Sequence, residues 1–349
     1  MATEKYLLQD GSTLEITTTD KTIAYKESVV TTVDKVVNYE EVTTKIIPAV
    51  SFYIGLPKSD TLVLSAQSNR VIENIRISNA AGIAAQLTNC GNITFRNCFF
   101  DGAGAEAITL YNCKNILIEK CLFARVTTGV YASTSQSIKI LNNQFLNVRR
   151  REGVNARGQF VQFDNVSGAG NEVSGNKGEN FIGESNPEDL ISMFKSNGTA
   201  ASPIQIRNNM FKGGGPSASG GGIILGDFGG SYITADGNVL LNPGNYGMSI
   251  AGGSNMVITN NKIFSKQFPW SNNPLFIWEQ SGSVCANNTI KSNRATWTDK
   301  DGKPNGGWNA GNCVNTIWEK PTPITEAELN VPVHLIDYVT PEELIKIRK

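Results

Sequence analysis

Short stretches in which every second residue is apolar recur down most of this chain, with polar turns between them. Asn74-Ile-Arg-Ile-Ser-Asn, Asn92-Ile-Thr-Phe-Arg-Asn-Cys, Asn115-Ile-Leu-Ile-Glu-Lys-Cys and Ser137-Ile-Lys-Ile-Leu-Asn-Asn read as one type of strand, alternate side chains facing a core. A second type falls between them: Gln86-Leu87-Thr88, Thr109-Leu110-Tyr111, Tyr131-Ala132-Ser133, Gln162-Phe163-Asp164, Ser192-Met193-Phe194, Ile224-Leu225-Gly226, Ser249-Ile250-Ala251 and Ile277-Trp278-Glu279. The middle residue of each triplet is expected to point inward. An asparagine recurs beside the strands at Asn143, Asn176, Asn209, Asn238, Asn261 and Asn288, with spacings of 33, 33, 29, 23 and 27 residues. A short unit that repeats with variable insertions is the mark of a solenoid.

Three short strands in roughly two dozen residues predict an all-β chain, a single right-handed parallel β-helix over residues 61–295. Leucine-rich repeats would need a leucine consensus and helical segments, and a propeller needs longer, antiparallel blades. Neighbouring coils of a β-helix stand about 4.8 Å apart, so equivalent side chains stack. The asparagine series is therefore expected to be a structural ladder, each amide bonding the backbone and the next asparagine. Residues 1–60 alternate weakly, at Thr13–Thr18 and Val29–Val37, and are expected to form irregular strands covering the N-terminal mouth. After about residue 295 the repeat fades. Residues 296–349 are expected to be a covering loop and tail with a short helix starting at Pro341. All five tryptophans lie at or beyond Trp270, a placement that suits a capping loop better than a sugar-stacking surface.

Composition narrows the partners. Lys plus Arg and Asp plus Glu both number 31, so no net charge favours nucleic acid or an anionic membrane surface. No apolar run is long enough to span a bilayer. Cys90 and Cys113 are 23 residues apart, as are Cys98 and Cys121, which places each pair on adjacent coils as stacked, buried thiols. Cys285 and Cys313 bracket a Gly/Asn-rich segment instead, and a disulfide is expected there. That bond implies an oxidising compartment, secreted or periplasmic, although Met-Ala-Thr-Glu-Lys is no secretory signal. A monomer is expected.

The only histidine, His334, lies in the tail, which removes Ser-His-Asp, Cys-His and HExxH chemistry. Lys195 stands where matching turns hold Asn112 and Asn165, between the carboxylates of Asp164 and Asp227 on neighbouring coils. Its ordinary alternative is a solvated lysine in a salt-bridged surface. The insertion Arg149-Arg150-Arg151 to Arg157 is expected beside it, with Gln162 one coil away and Tyr131 two. Such a set suits β-elimination on a uronic acid. Cations and amides neutralise the carboxylate, a Lys or Tyr takes the α-proton, and a Tyr or water protonates the departing oxygen. Asp164, Asp189 and Asp227 could instead serve a glycosidase as acid and base, and a non-catalytic, tail-spike-like binding module would need neither set. Glu184, Glu188 and Asp189 are read as turn caps. They could also hold Ca²⁺, although their spacing matches no EF-hand loop. The glycine run Gly213–Gly222 lacks the GK[ST] of a phosphate loop and is expected to be a mobile loop or tight corner.

Asn186-Pro-Glu-Asp-Leu-Ile-Ser-Met-Phe-Lys-Ser-Asn-Gly-Thr, with Gly213-Gly-Gly-Pro-Ser, Gly221-Gly-Ile-Ile-Leu-Gly-Asp and Pro243-Gly-Asn-Tyr-Gly-Met-Ser-Ile-Ala-Gly-Gly, resembles β-helical bacterial polysaccharide lyases, most of all the alginate lyases of polysaccharide lyase family 31. The resemblance covers roughly residues 150–315. It implies cleavage of an acidic polysaccharide, alginate favoured, by a lysine and a tyrosine. Lys195 is the matching lysine. Tyr131 and Tyr246 both remain open for the tyrosine, with Arg151, Arg157, Gln162, Asp164 and Asp227 as substrate contacts. The Gly-His-Gly of β-helical polygalacturonases is absent, which counts against hydrolysis.

Overall fold

The computed structural model describes residues 2–7, 13–18, 52–151, 153 and 158–348. Two compact units divide the chain, Met1–Val50 and Ser51–Lys349. In the first, Ala2–Leu7 pairs antiparallel with Thr13–Thr18, so the alternation at Thr13 does mark a strand. Val29–Val37 lies outside the described residues.

The second unit is a parallel β-helix whose coils each contribute a strand to three faces. The first face runs through Leu62–Ser65, Ala85–Thr88, the C-terminal parts of Phe99–Tyr111 and Leu122–Ser133, then Val161–Asp164, Ile191–Phe194, Ile223–Asp227, Tyr246–Ile250, Asn273–Ile277 and Trp308–Asn309. The second is the 11-stranded sheet from Ser68–Glu73 to Ile317–Trp318. The third runs from Lys58–Ser59 to Arg294–Trp297. Every interstrand pairing in this unit is parallel and joins equivalent strands of successive coils, because each coil returns one rung above its start.

Inward residues stack at the rung spacing. Phe100, Phe123 and Phe145 lie ring on ring, with centroids 4.8 Å apart at both steps. The turn after the second face carries the asparagine ladder. Each Nδ2 donates to the next Oδ1 at 2.9–3.0 Å from Asn143 through Asn176, Asn209, Asn238 and Asn261. The last partner is Asn293, not Asn288. Asn288 belongs to the preceding turn, where it accepts from the Met256 N–H and donates to the Gly253 carbonyl. At the other end the column continues into Cys121, whose N–H donates to Asn143. Cys90, Cys98, Cys113 and Cys121 are free and buried, as stacked thiols should be, and Cys285 is bonded to Cys313.

Three further registers differ from the sequence reading. Asn74-Ile-Arg-Ile-Ser-Asn is not equivalent to the Asn92 strand, because Ile72 pairs with Phe95 while Ile77 pairs with Phe100 on the third face. In the last triplet Ile277 is the buried residue, paired with Ile250, and Trp278 is 44% exposed. The coil does not stop at 295. Trp308–Asn309 and Ile317–Trp318 add strands to the first and second faces, hidden in sequence by the Lys300-Asp-Gly-Lys-Pro-Asn-Gly-Gly turns.

The tail runs back along the third face rather than over the last coil. The helix Pro341–Arg348 buries Leu344 and Ile347 with Tyr53, Leu56, Phe99, Leu122, Ala124 and Leu146. Polar clasps fix its path: Asp337 with Gln144 and Lys177, Leu335 N–H to Glu179, and Arg348 to Glu184 at 2.7 Å. The tail thereby covers the third face along much of its length.

Candidate functional site

The first face presents its outward side chains in columns, since its strands are in register. One column reads Thr109, Tyr131, Gln162, Ser192 and Ile224; the next reads Tyr111, Ser133, Asp164, Phe194 and Asp227, with a bulge at Gly226 before Asp227. Tyr131 leans across one rung and donates to Asp164 Oδ2 at 2.5 Å. Asp164 Oδ1 accepts from Asn165 Nδ2 at 2.6 Å. Partial burial, followed by the Asp164 hydrogen bond and charge, pushes the Tyr131 phenol up to about 12. Tyr131 therefore keeps its proton at neutral pH.

Lys195 follows Phe194 at the turn. Its backbone is left-handed, φ 47°, in the position where Asn112 (φ 50°) and Asn165 (φ 54°) sit on earlier coils. Asparagine tolerates this region because its short side chain bonds locally, and a long side chain there is uncommon. Lys120 occupies a left-handed position at another turn, so the substitution alone does not mark a site. The surroundings do more. The Lys195 ammonium lies 4.9 Å from the Phe194 ring centroid and 5.7 Å from that of Phe228, and the two rings are 5.2 Å apart. The half-buried Phe194 and the exposed Phe228, holding a cation beside two aspartate positions, form a small platform at the edge of the face. Tyr131, Gln162, Asp164, Asp227 and Lys195 are thus brought together.

Tyr246 is not among them. It is buried, 2% exposed, and its hydroxyl donates to Asp189, which also accepts the Gly221 N–H at 2.9 Å. Burial raises the Asp189 carboxyl to about 7, against the opposing pull of those two hydrogen bonds; it raises the Tyr246 phenol as well. The pair anchors the glycine run, which is a tight corner. A Cβ on Gly221 would lie 2.5 Å from the Tyr246 carbonyl oxygen, and one on Gly222 would lie 2.1 Å from that of Gly247. Only glycine permits that approach.

Arg151 is also elsewhere. Arg149 to Arg151 lie away from Lys195 at the opposite edge of the first face, where Arg151 Nη1 donates to the carbonyls of Ala80 at 3.3 Å and Gly104 at 3.4 Å. Arg157 lies outside the described residues. Glu184 is engaged by Arg348 and Asn147, not by Glu188 and Asp189, and no group of three or more His, Cys, Asp or Glu side chains suited to a metal occurs among the described residues. At the far end of the face the exposed Trp278 and Trp308 pack with the buried Phe276, with centroids 5.7–5.8 Å apart. The sequence pattern suits the tryptophans to a capping loop and turns Trp278 inward in the triplet at Ile277, whereas Trp278 is exposed.

A family model described as a right-handed β-helix region matches residues 54–188. The fold is thus a right-handed parallel β-helix. No curated protein matches the sequence. Among solved structures the chain is similar to a mutant tailspike protein of E. coli bacteriophage HK620 in complex with a pentasaccharide, at 12% identity and a TM-score of 0.43, covering 77% of this chain and 58% of that one. A second mutant of that tailspike, in complex with a hexasaccharide, gives 13% identity and a TM-score of 0.43, with 74% and 55% covered. The chain spans little more than half the length of those tailspike chains. No helix of the described residues is long and apolar enough to cross a membrane.

Proposed function

We propose that this β-helix cleaves an acidic polysaccharide, a uronate polymer with alginate favoured, by β-elimination on its first face. The observation that carries the reading is the Tyr131–Asp164 hydrogen bond set one rung from Lys195. In the proposed step Lys195, once its ammonium proton has passed to solvent, takes the proton on the carbon bearing the sugar carboxylate. The electron pair of that C–H bond forms the ring double bond, and the C–O bond to the departing sugar breaks. Tyr131, which holds its proton, gives it to the leaving oxygen, and solvent restores it. Gln162 stands between the two groups in register and suits a hydrogen bond to the substrate carboxylate. The Cys285–Cys313 bond fits work in an oxidising compartment outside the cytoplasm.

Hydrolysis is the second reading, and the Asp189 carboxyl favours it, because an acid held near 7 suits proton donation to a glycosidic oxygen. Its burial with Tyr246 argues for a structural role. Product chemistry separates the readings across a panel of acidic polysaccharides. A lyase yields unsaturated, ultraviolet-absorbing ends, a hydrolase yields reducing ends alone, and a binding module yields no product. Reducing ends without the absorbance would overturn the elimination.

A further inference from the structure

Where the third face turns into the first, a cleft of about 440 Å³ is lined by Ala80, Gly102, Ala103, Gly104 and Thr127 together with Arg125, Arg149, Arg150 and Arg151. Four arginines line this space, and among the described residues no carboxylate lines it. Asp101, beside Gly102 in the chain, is 5% exposed and already held by Arg76 and Arg125. The Nε atoms of Arg125 and Arg149 are buried without a hydrogen-bond partner among the described residues. Among the described residues Asp101 pairs with Arg125 alone of the four, so the like charges repel, and buried donors without acceptors cost free energy. An anion with several oxygens relieves both at once.

The cleft is built rather than fortuitous. Arg125 stands in register with Gly102, between the pairs Ala124–Asp101 and Val126–Ala103, and takes a left-handed φ of 56°. Gly102 supplies no side chain, so the floor stays open. Gly104 does the same for Arg151, whose Nη1 would lie 2.4 Å from any Cβ there. Arg149 is tied at its backbone, donating to the Val126 carbonyl at 3.0 Å and bridging to Asn186. Planar, forked guanidinium groups bind carboxylates through paired hydrogen bonds. The strand Leu122–Ser133 carries both Arg125 and Tyr131, and Thr127 and Tyr131 are separated along it by about 13 Å at the usual rise.

We infer that this cleft is a distal subsite that binds the carboxylate of a uronate unit some sugars along the chain from the bond at Tyr131. The inference rests on the acidic-polysaccharide reading and extends it. Such a site holds long substrates in the ground and transition states alike, so it governs KM and not kcat.

The test is calorimetric titration of the full chain carrying Lys195→Asn, so that a uronate hexasaccharide survives uncut. Arg150→Ala with Arg151→Ala is expected to weaken binding about tenfold or more. The methyl-esterified hexasaccharide is expected to bind far more weakly than the free acid. A sulfated neutral oligosaccharide and inorganic sulfate form the control arms. If either binds as tightly as the uronate, the carboxylate assignment is overturned. Unchanged binding in the arginine variant overturns the site, and Arg150→Lys, which keeps charge but not the fork, serves if the double variant does not fold. Loss of binding in the variants, with no unsaturated ends from the unsubstituted protein, would leave the cleft standing and remove the elimination reading alone.

Discussion

Tyr131 on one coil donates its phenolic hydrogen to Asp164 on the next across 2.5 Å, and Asp164 is itself in register with Phe194, the residue before Lys195. Three successive rungs of a stacked sheet thus join a phenol, a carboxylate and a cation that lie 64 residues apart at their extremes. The stacking of strands, not proximity in sequence, makes that neighbourhood.

Removing the phenol is the first test. Tyr131→Phe should lower kcat by roughly a hundredfold or more while KM moves little, as expected when a proton donor acts only in the transition state. Asp164→Asn keeps an acceptor and removes the charge that helps hold the phenol near 12, so its titration should fall toward the ordinary value near 10. A required protonated phenol works below its pKa and is lost as pH rises through it. The alkaline limb of kcat should therefore move to lower pH in Asp164→Asn. An unmoved limb would show that this phenol is not the acid.

Lys195 invites a substitution that favours the fold. Asparagine is the residue its left-handed turn holds on other coils, at Asn112 and Asn165. Lys195→Asn should leave stability unchanged or raise it by up to about 1 kcal/mol. Turnover should drop by about a hundred- to ten-thousandfold if the amine takes the proton. Thermal unfolding and product absorbance measured on the same preparation would separate the two effects. Retained turnover would make Lys195 a solvated charge.

The ladder can be broken at its middle. Asn209 accepts from the Asn176 N–H and Nδ2 and donates to the Val173 carbonyl and Asn238 Oδ1, all within 2.9–3.0 Å. Asn209→Leu matches it roughly in size but leaves several buried groups unpaired. A loss of about 3 kcal/mol or more is expected, since each costs about 1–3 kcal/mol. Denaturant unfolding would measure it. A loss below about 1 kcal/mol would mean that the stacked amides contribute little.

Period-two alternation and the Asn and Cys registers carry the fold in the sequence because each inward column must be filled on every coil. Asn143 to Asn261 and the Cys98–Cys121 stack were legible for that reason. Asn288 and Asn293 both follow short apolar stretches, and the insertion after Ser265 blurs the count, so spacing alone selects the wrong one. Tyr131, Gln162, Asp164 and Lys195 could be placed by counting rungs. Arg149 to Arg151 could not, because where a corner residue lands depends on what receives it. Here the Ala80 and Gly104 carbonyls on earlier coils do so. The tail posed the same difficulty: Leu344 and Ile347 announce an apolar helix face but not the third face as its partner.

Asp189 supplies a pH signature that separates structure from catalysis. Its carboxyl titrates near 7 in the folded chain, chiefly through burial, against about 3.9 for an unfolded aspartate. Below the lower value both states hold the proton, and above the higher value neither does. Between them only the folded state is protonated, so stability should fall as pH rises from about 4 to 7, with a slope of at most about 1.4 kcal/mol per unit from this group. Asp189→Asn should abolish that slope, because its amide oxygen can still accept from Tyr246 and the Gly221 N–H while carrying no ionisable proton. The variant should therefore be no less stable than the parent at pH 7. Its activity decides the rest. If Asp189→Asn flattens the stability profile and still makes product, the carboxyl is an anchor for the glycine corner and hydrolysis through it is excluded. Loss of product with intact folding would move the proton donor from Tyr131 to Asp189.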